Sequence, residues 1–363
     1  MKSFHFNTPK EIYFGKNSFE NLKKGLLIVS PSVWKNHFEK LKKIDLKPII
    51  FKRQTPTSEP GESDIVFLSK EIKKHIKTKK PERIVAVGGG SVIDAVKIAL
   101  QFVWQKNLTF EDIYAHRKFV KNKIPLVGVE TTCGTGTGVT AVGVVLGRDN
   151  IKRGILNVCL LCDVAIYDPV FLYKLPEEVV INSGMDALTH AVESFSSKIQ
   201  NPPADTLSLK AIELIVKNIK KASQRNKKAL ENLHCGNMLG GLAFTNARLG
   251  ICHALAHLIG GRFAIPHGRI NAILLPYVVE FNFPYTQKYR EIERILKIKN
   301  FVRFLRRLNE ELRIESSLEF LGEKFKNQIS QIARECERAK LVEVNPWKPK
   351  AHQIKKLLEK SIK

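Results

Sequence analysis

Short apolar runs alternate with helical stretches through the first 170 residues, and few fold classes accommodate this order of elements. The runs are rich in β-branched and other apolar residues and cover residues 26–29, 48–51, 84–87, 125–129 and 164–167. Between the second and third runs, apolar residues recur at helical spacing: Ile65, Leu68, Ile72 and Ile76. This alternation predicts a parallel sheet covered by helices, whose ligands bind beyond the carboxyl ends of the strands.

The pattern changes near Asp168 and Pro169, after which almost every segment has helical periodicity broken by Gly, Pro or Asn. Ala211, Ile212 and Ile215, for example, share one helical face. We therefore predict an α/β domain over residues 1–170 and an all-helical domain over residues 171–363.

Composition narrows the class of protein. With 363 residues, 44% of them hydrophobic, the chain is long enough for two domains with substantial cores, which excludes disordered and fibrous classes. A net charge of +25 favours partners that carry phosphate: nucleic acid, anionic lipid or a phosphorylated cofactor. The lysines of residues 73–80 have no aromatic residues between them, so a solvated helix face explains them best.

The sequence has neither a secretory signal core nor an apolar run of about 18 residues, and we expect a cytoplasmic protein without a membrane partner.

The six cysteines are too few for a disulfide scaffold in a chain of this length. Cys159 and Cys162 form a C-x-x-C motif, but no second pair accompanies it, and its apolar neighbours are typical of a buried strand. We therefore expect two core cysteines rather than a redox or zinc site.

A glycine-rich turn follows the run at 84–87, because residues 88–91 have the sequence Gly-Gly-Gly-Ser and a helical pattern continues after them. Glycine lets the backbone approach a phosphate closely, and the helix N-terminus offers free N–H groups and a positive dipole end. Ser91 and Asp94 have capping-box spacing. The turn predicts a phosphate site, and its spacing alone does not indicate a nicotinamide. A second loop, residues 131–138, suits phosphate, ribose or carboxamide.

Histidines and one carboxylate cluster in the helical half. Asp186 and His190 are four residues apart, as are His253 and His257, so that each pair lies on one helix face, and His267 precedes a glycine. One carboxylate with several imidazoles suits a borderline divalent ion such as iron(II) or zinc better than magnesium or calcium. The pattern predicts a metal site.

Together these motifs resemble the iron-containing (group III) alcohol dehydrogenase family, over nearly the whole chain. The matching segments are Phe14-Gly15, GGGSVIDAVK at 88–97, TTCGTGTGVT at 131–140, Asp168-Pro169 with Leu175-Pro176, GMDALTHAVE at 184–193, LGICHALAHLIGGRFAIPHGRINAILLP at 249–276 and Asn345-Pro346. The resemblance implies the dehydroquinate synthase-like fold of that family, with a Rossmann-like N-terminal domain, an all-α C-terminal domain, and coenzyme and metal in the cleft between them. It also implies a homodimer.

By this resemblance the metal ligands are Asp186, His190, His253 and His267. His257, one turn beyond a ligand, either supports the ligands or transfers a proton. The histidine at 190 favours iron(II), with zinc as the alternative. The implied coenzyme-binding residues are Gly88, Gly89, Gly90, Ser91, Asp94, Thr131, Thr132 and Lys152. The chain departs from the family pattern at Glu130, Thr137-Gly138 and Thr55.

Coenzyme preference is predicted from the end of the first apolar run, Val29-Ser30-Pro31-Ser32. No carboxylate there would repel a 2′-phosphate, and two serines can donate to it. We therefore expect NADP to be preferred, with NAD as the alternative.

The expected reaction is reversible hydride transfer between a primary alcohol or diol and the nicotinamide, with the metal polarising the substrate oxygen. A glycerol dehydrogenase or another dehydroquinate synthase-like enzyme is the alternative within the same fold. A basic nucleic-acid-binding protein with a degenerate site is the remote alternative, although the sequence contains no known recognition motif for it.

Overall fold

A computed structural model describes residues 3–54, 59–149 and 151–362 of the chain. Its strands, in chain order, are β1 (Glu11–Phe14), β2 (Leu26–Val29), β3 (Ile49–Ile50), β4 (Ile84–Gly88), β5 (Leu126–Glu130), β6 (Val142–Leu146), β7 (Lys152–Leu156) and β8 (Val164–Tyr167). Within the described residues, six of them form a parallel sheet in the order β1-β8-β5-β4-β2-β3. β6 and β7 form an antiparallel hairpin.

Helices follow the strands and make up the second half of the described chain. They are α1 (Pro31–Leu41), α2 (Glu62–Thr78), α3 (Gly90–Trp104), α4 (Phe110–Tyr114), α5 (Glu177–Ser196), α6 (Pro202–Ser223), α7 (Lys227–Ala247), α8 (Ile251–Phe263), α9 (His267–Asn282), α10 (Lys288–Leu296), α11 (Phe301–Glu311), α12 (Gly322–Lys326), α13 (Ile329–Glu337) and α14 (Ala351–Lys360). Short 3₁₀ turns cover Ser18–Asn21, Thr137–Val139, Val158–Leu160, Pro169–Leu172, Phe283–Tyr285, Glu319–Leu321 and Lys340–Val344.

The sheet forms where the sequence is continuously apolar. Every residue of β2, β4 and β5 is buried, because a parallel sheet covered by helices has no solvent-facing side. α2 covers one face with the buried side chains of Ile65, Leu68 and Ile72, and Ile76, the fourth residue predicted on this face, is half-buried against the same core. The predicted parallel sheet with helices and the predicted helical second half are both confirmed.

Two parts of the fold, β1 and the β6–β7 hairpin, were not predicted from the sequence pattern. β1 is a short edge strand whose residues are mostly exposed, so it lacks the apolar run that marks the inner strands. The β6–β7 hairpin carries Lys152 and Arg153 in a β7 strand that is only partly apolar. Neither β1 nor the hairpin is buried on both faces, the property from which the other strands were predicted.

The segment around the C-x-x-C motif differs from the expected buried strand. Residues Val158–Leu160 form a 3₁₀ turn, and the strand starts only at Val164. Cys162 is buried and Cys159 is half-buried, and both are free thiols. The prediction of two core cysteines therefore holds for Cys162 alone.

The two halves of the chain meet at the carboxyl edge of the sheet. The loop after β5 packs against α5 and α7, where Gly134 lies against Ser183 and Gly136 against Gly241. Gly136 also has a positive φ of 57°, which favours glycine. None of the helices in the described ranges is long and apolar enough to cross a membrane.

Candidate active site

Three side chains from three helices converge in the helical half, where Asp186 and His253 are buried and His267 is half-buried. Asp186 lies on α5, His253 on α8 and His267 at the first position of α9. The Nε2 atoms of His253 and His267 are 3.6 and 3.7 Å from Asp186 Oδ1. The three candidate donor atoms all lie within 4.8 Å of one another, so only small shifts are needed for all three to bind one ion.

Asn271 marks the point on which these donors converge. Its Nδ2 amide lies 2.7 Å from Asp186 Oδ1 and 3.2 Å from Nε2 of both His253 and His267. A single donor group thus contacts one carboxylate oxygen and two imidazole nitrogens at once. This mixed oxygen and nitrogen set fits a borderline divalent cation such as iron(II) or zinc.

His190, the fourth predicted ligand, lies beside this group. Its ring stacks on that of His253 with 4.5 Å between ring centroids, and its Nδ1 contacts the carbonyl oxygen of Gly134 at 3.2 Å. His190 is not among the three residues whose donor atoms all lie within 4.8 Å of one another. The structure therefore brings Asp186, His253 and His267 together, and His190 lines the same cluster.

Glu193 orients the central histidine, a role that sequence reasoning missed. Its buried carboxylate accepts the backbone N–H groups of Cys252 at 2.6 Å and His253 at 3.3 Å, and it lies 2.6 Å from His253 Nδ1. An Nδ1–H that donates to Glu193 leaves Nε2 free to face Asp186. The signal was present, because Asp186, His190 and Glu193 follow each other by four and three residues on one face of α5.

The titration behaviour of the cluster follows from burial and from its carboxylates. Burial lowers the pKa of His190 to about 4 and that of His257 to about 3. Burial also opposes a charge on His253, but hydrogen bonds to Asp186 and Glu193 outweigh it and raise the pKa to about 9. For Asp186, burial favours the neutral acid, yet the neighbouring histidines hold the pKa below its usual range. Near pH 7 the cluster thus holds an ionised Asp186 beside a protonated His253, with neutral rings at His190 and His257.

His257 and Lys152 lie at the margin of the cluster. The half-buried His257 ring stacks on that of His267 with 5.0 Å between centroids. Lys152 begins β7, and its Nζ is 2.7 Å from Glu59 Oε2 and lies against Gly260 of α8. Both residues therefore lie between the hairpin and the histidine cluster.

The glycine turn has the predicted strand–turn–helix arrangement. β4 ends at Gly88, Gly89 caps α3, and α3 begins at Gly90. A Cβ on Gly89 would lie 2.9 Å from Cγ2 of Thr132, and a Cβ on Gly90 would lie 2.6 Å from Cγ2 of Thr135. The two loops therefore pack so closely that only glycine fits. The first N–H groups of α3 have no partner within the helix, which is the geometry of an anion site.

The predicted capping box at this helix is wrong. The N-cap is Gly89 rather than Ser91, and no side chain caps the helix. Asp94 turns away from the helix start and is buried, where its carboxylate accepts a hydrogen bond from Thr137 Oγ1 and one of 3.1 Å from the Val144 N–H. The physical reason is that the hairpin leaves backbone donors inside the fold that need an acceptor.

The second loop is tied to the first through its backbone. The Thr131 N–H donates to the Gly88 carbonyl at 3.0 Å, and Thr132 follows at the rim of the same turn. The departures at Thr137 and Gly138 fall in a buried 3₁₀ turn. Thr55 lies outside the described residues.

A parallel sheet with a glycine turn at its carboxyl edge, joined to a helical half with a carboxylate–histidine cluster, is the arrangement of an enzyme that binds a metal ion and a phosphate-bearing ligand. The iron-containing alcohol dehydrogenase model matches residues 9–169, and the C-terminal model of the Fe-containing alcohol dehydrogenase family matches residues 180–362. The chain belongs to this iron-containing alcohol dehydrogenase family.

Individual relatives agree with this assignment. An NADPH-dependent butanol dehydrogenase of Clostridium saccharobutylicum is 31% identical, over 98% of this chain and 97% of its own length. An alcohol dehydrogenase of Thermococcus barophilus is 34% identical, over 84% and 83% of the two chains. The solved structure of an iron-containing alcohol dehydrogenase from Thermococcus thioreducens superposes with a TM-score of 0.89 at 28% identity, covering 99% of each chain.

The protein is therefore an oxidoreductase, a metal-dependent NAD(P)-linked alcohol dehydrogenase or aldehyde reductase. The predicted family, fold class and reaction are confirmed. The alternative of a glycerol dehydrogenase or another dehydroquinate synthase-like enzyme is not favoured by these matches.

Proposed function

We propose that Asp186, His190, His253 and His267 hold one divalent cation, iron(II) in the native enzyme, beside which a primary alcohol or diol is oxidised reversibly. The observation that carries this proposal is the convergence of Asp186 Oδ1 with two imidazole Nε2 atoms at 3.6 and 3.7 Å. A bound cation supplies Lewis-acid chemistry to a hydroxyl or carbonyl oxygen. The carboxylate and Glu193 balance its charge, and the helices hold the donors in place without loops.

The coenzyme is proposed to bind across the carboxyl edge of β4 and β5. Gly88, Gly89, Gly90 and Ser91 would receive the pyrophosphate at the α3 N-terminus. Thr131 and Thr132 would contact the remainder of the dinucleotide, and Lys152 would bind the nicotinamide ribose beside the histidine cluster. Because the carboxylate of Asp94 is already hydrogen-bonded inside the fold, we propose that it supports the loop rather than touching the coenzyme.

His257 is proposed to pass a proton between substrate and solvent. It is half-buried, it stacks on His267, and it lies one helical turn from His253. Its neutral ring has one nitrogen that accepts and one that donates, which is what a relay needs.

The division of the chain into domains near residue 170 is part of the proposal. The last strand of the sheet ends at Tyr167 and α5 begins at Glu177. A cytoplasmic location and a homodimer remain predictions from the sequence and the resemblance.

The reaction can be tested with anaerobically purified protein that is stripped of metal and then reloaded with iron(II), zinc or magnesium. We expect iron(II) to restore NADPH-dependent reduction of short aldehydes, and magnesium to restore none, because the donor set has too few oxygens for it. Glycerol and sugar phosphates in the same assay separate the alternative activities. An iron-loaded enzyme that turns over none of the aldehydes would contradict the proposal.

NADP is proposed as the preferred coenzyme. β2 and β4 are neighbours in register, which puts Ser30 and Ser32 beside the glycine turn, and the first turn of α1 has no acidic residue. Lys52 and Arg53 follow β3 at the same edge of the sheet. These side chains suit a 2′-phosphate.

We expect NADPH to have a higher kcat/KM than NADH, and Ser32→Asp to lower the value for NADPH by more than about tenfold while sparing NADH, since the new charge opposes a phosphate. Ser32→Ala is the control that removes the hydroxyl without adding charge. A wild-type preference for NADH of about tenfold would overturn this prediction.

A further inference from the structure

Glu130 places a buried carboxyl group under the candidate phosphate site. It is the last residue of β5, it pairs in register with Gly88, and none of its surface is exposed. The next residue, Thr131, donates its backbone N–H to the carbonyl of Gly88. Glu130 therefore lies directly where the two glycine loops begin.

The carboxylate holds the second loop in shape. Oε1 accepts the hydroxyls of Thr132 at 2.9 Å and Thr135 at 3.3 Å, and Oε2 accepts the Gly138 N–H at 3.3 Å. These two threonines are the side chains against which Gly89 and Gly90 pack. Glu130 thus determines the shape of the surface that faces a bound phosphate.

The charges around Glu130 are nearly balanced without it. From α3, Asp94 and Lys97 face the same interior, and the Lys97 ammonium donates to the carbonyls of Thr137 at 2.6 Å, Thr140 at 2.8 Å and Val142 at 2.9 Å. Burial raises the pKa of Asp94 to about 6. When Asp94 and Lys97 are both charged they cancel, so an ionised Glu130 adds one uncompensated negative charge.

The other titratable groups around Glu130 do not supply a compensating charge. Burial raises the pKa of the Cys133 thiol in the loop and of the Tyr167 phenol on β8, and it raises that of the Cys162 thiol to about 11. On α7, burial lowers the pKa of His234, whose ring lies 4.8 Å from that of Tyr167, to about 3. All four are neutral near pH 7. Burial also raises the pKa of Glu130 itself to about 7, although its hydrogen bonds oppose this shift.

We propose that Glu130 is a positioning residue that couples dinucleotide binding to the uptake of one proton, an inference that rests on the proposed coenzyme site. A pyrophosphate seated at the α3 N-terminus brings negative charge above a carboxylate that has no ion-pair partner among the described residues. The repulsion is relieved when a solvent proton binds a carboxylate oxygen of Glu130. The protonated group still accepts from the loop and presents no charge to the coenzyme.

The test is calorimetric titration of the metal-loaded, full-length protein with NADPH, between pH 6 and pH 8.5, in buffers of different ionisation enthalpy. We expect the wild type to take up more protons than Glu130→Gln near and just above pH 7. Its affinity should fall by up to about tenfold over this range, the effect of a one-unit shift on binding. The 2′-phosphate of NADPH titrates equally in both proteins, so the difference between them reports Glu130. Equal proton uptake in the two proteins would overturn the inference.

Two further variants make the result specific. Thr135→Val removes one hydroxyl that stabilises the ionised form, and we expect it to move proton uptake to higher pH. Asp45→Asn is the matched control, because Asp45 accepts N–H groups from Leu27 and Lys47 at the opposite, amino edge of the sheet. It should leave proton uptake unchanged. An unaltered midpoint in Thr135→Val would count against Glu130 even if Glu130→Gln failed to fold.

Stability gives a second readout with a definite sign. The pKa of Glu130 is raised from 4.5 to about 7 in the fold, so the native state holds this proton more tightly than the unfolded chain. Its contribution is therefore fully present below pH 4.5 and is lost as the pH rises through about 7. The melting temperature of the coenzyme-free wild type should fall over this interval more than that of Glu130→Gln, and parallel curves would contradict the buried ionisation.

The coenzyme site itself is checked separately with Gly90→Val, whose side chain would overlap Thr135. If this variant binds NADPH as the wild type does, the proposed coenzyme site is wrong. If it loses binding while Glu130→Gln and wild type take up equal numbers of protons, the site stands and the role of Glu130 does not.

Discussion

Replacing His267 with alanine is expected to remove the metal and the turnover together. His267 supplies one of the three donor atoms that lie within 4.8 Å of one another. Asn271, on the same helix, donates its amide N–H to Asp186 and has no lone pair on that nitrogen to offer a cation in place of the imidazole. Removing a residue that only hydrogen-bonds to a metal ligand lowers metal affinity roughly 10- to 100-fold, and removing the ligand itself should lower it further. Turnover should fall about a thousandfold or more, since a Lewis acid contributes several kcal/mol.

A graded series makes this prediction sharper. Glu193→Gln keeps the shape but weakens the hydrogen bond to His253 Nδ1, so we expect roughly a 10- to 100-fold loss of metal affinity with the fold intact. His75→Ala, on α2 in the other half, is the control and should retain the metal. Metal content by elemental analysis and affinity by chelator competition provide the measurements. Full metal stoichiometry in His267→Ala would exclude this histidine as a ligand.

The second large effect is expected from Gly268→Ala. A Cβ at this position would overlap the carbonyl oxygen of Asn182 and would lie 2.7 Å from its carbonyl carbon, so the obstacle is backbone rather than a flexible side chain. α5 and α9 would have to separate, which would move His267 away from Asp186. We expect about 3 kcal/mol of destabilisation, the upper end of the usual cost of overpacking, and at least about a tenfold loss of metal affinity.

Gly240→Ala is the matched control for this change. Gly240 also lies on a helix that packs on α5, but a Cβ there would meet its nearest neighbour, the Ala187 carbonyl, at 3.4 Å, an ordinary contact. Its melting temperature should be close to that of the wild type or above it, because alanine favours helix more than glycine by about 1 kcal/mol. If Gly268→Ala melts and binds metal as Gly240→Ala does, the close approach of the two helices is not required for the site.

Periodicity predicted most of the sheet because the inner strands are buried on both sides. β2, β4 and β5 are continuous apolar runs, and such runs are recognisable without knowledge of their neighbours. β1 is an exposed edge strand, and the β6–β7 hairpin is partly polar. Their existence depends on pairing with residues distant in sequence, which periodicity does not report.

The candidate metal-binding residues could be predicted from the sequence for a similar reason. The four-residue spacings of Asp186 with His190 and of His253 with His257 are local properties of a helix. The roles of Glu193 and Asn271 are not local, because both act across helices, Glu193 on the start of α8 and Asn271 on α5 and α8. The prediction for Asp94 failed for the same reason. Its carboxylate oxygens were expected to accept N–H groups at the nearest helix start, but they accept from a hairpin 50 residues away.

By itself, then, the sequence determined the class of fold, the family and the set of residue types that can bind a metal, because each of these is encoded in short-range patterns. Only the tertiary structure decided which donors meet, how Glu193 directs His253, and that Glu130 lies buried beneath the glycine loops. The physical reason is that donor geometry and burial depend on contacts between helices and strands far apart in the chain, and these contacts exist only once the two halves have packed together.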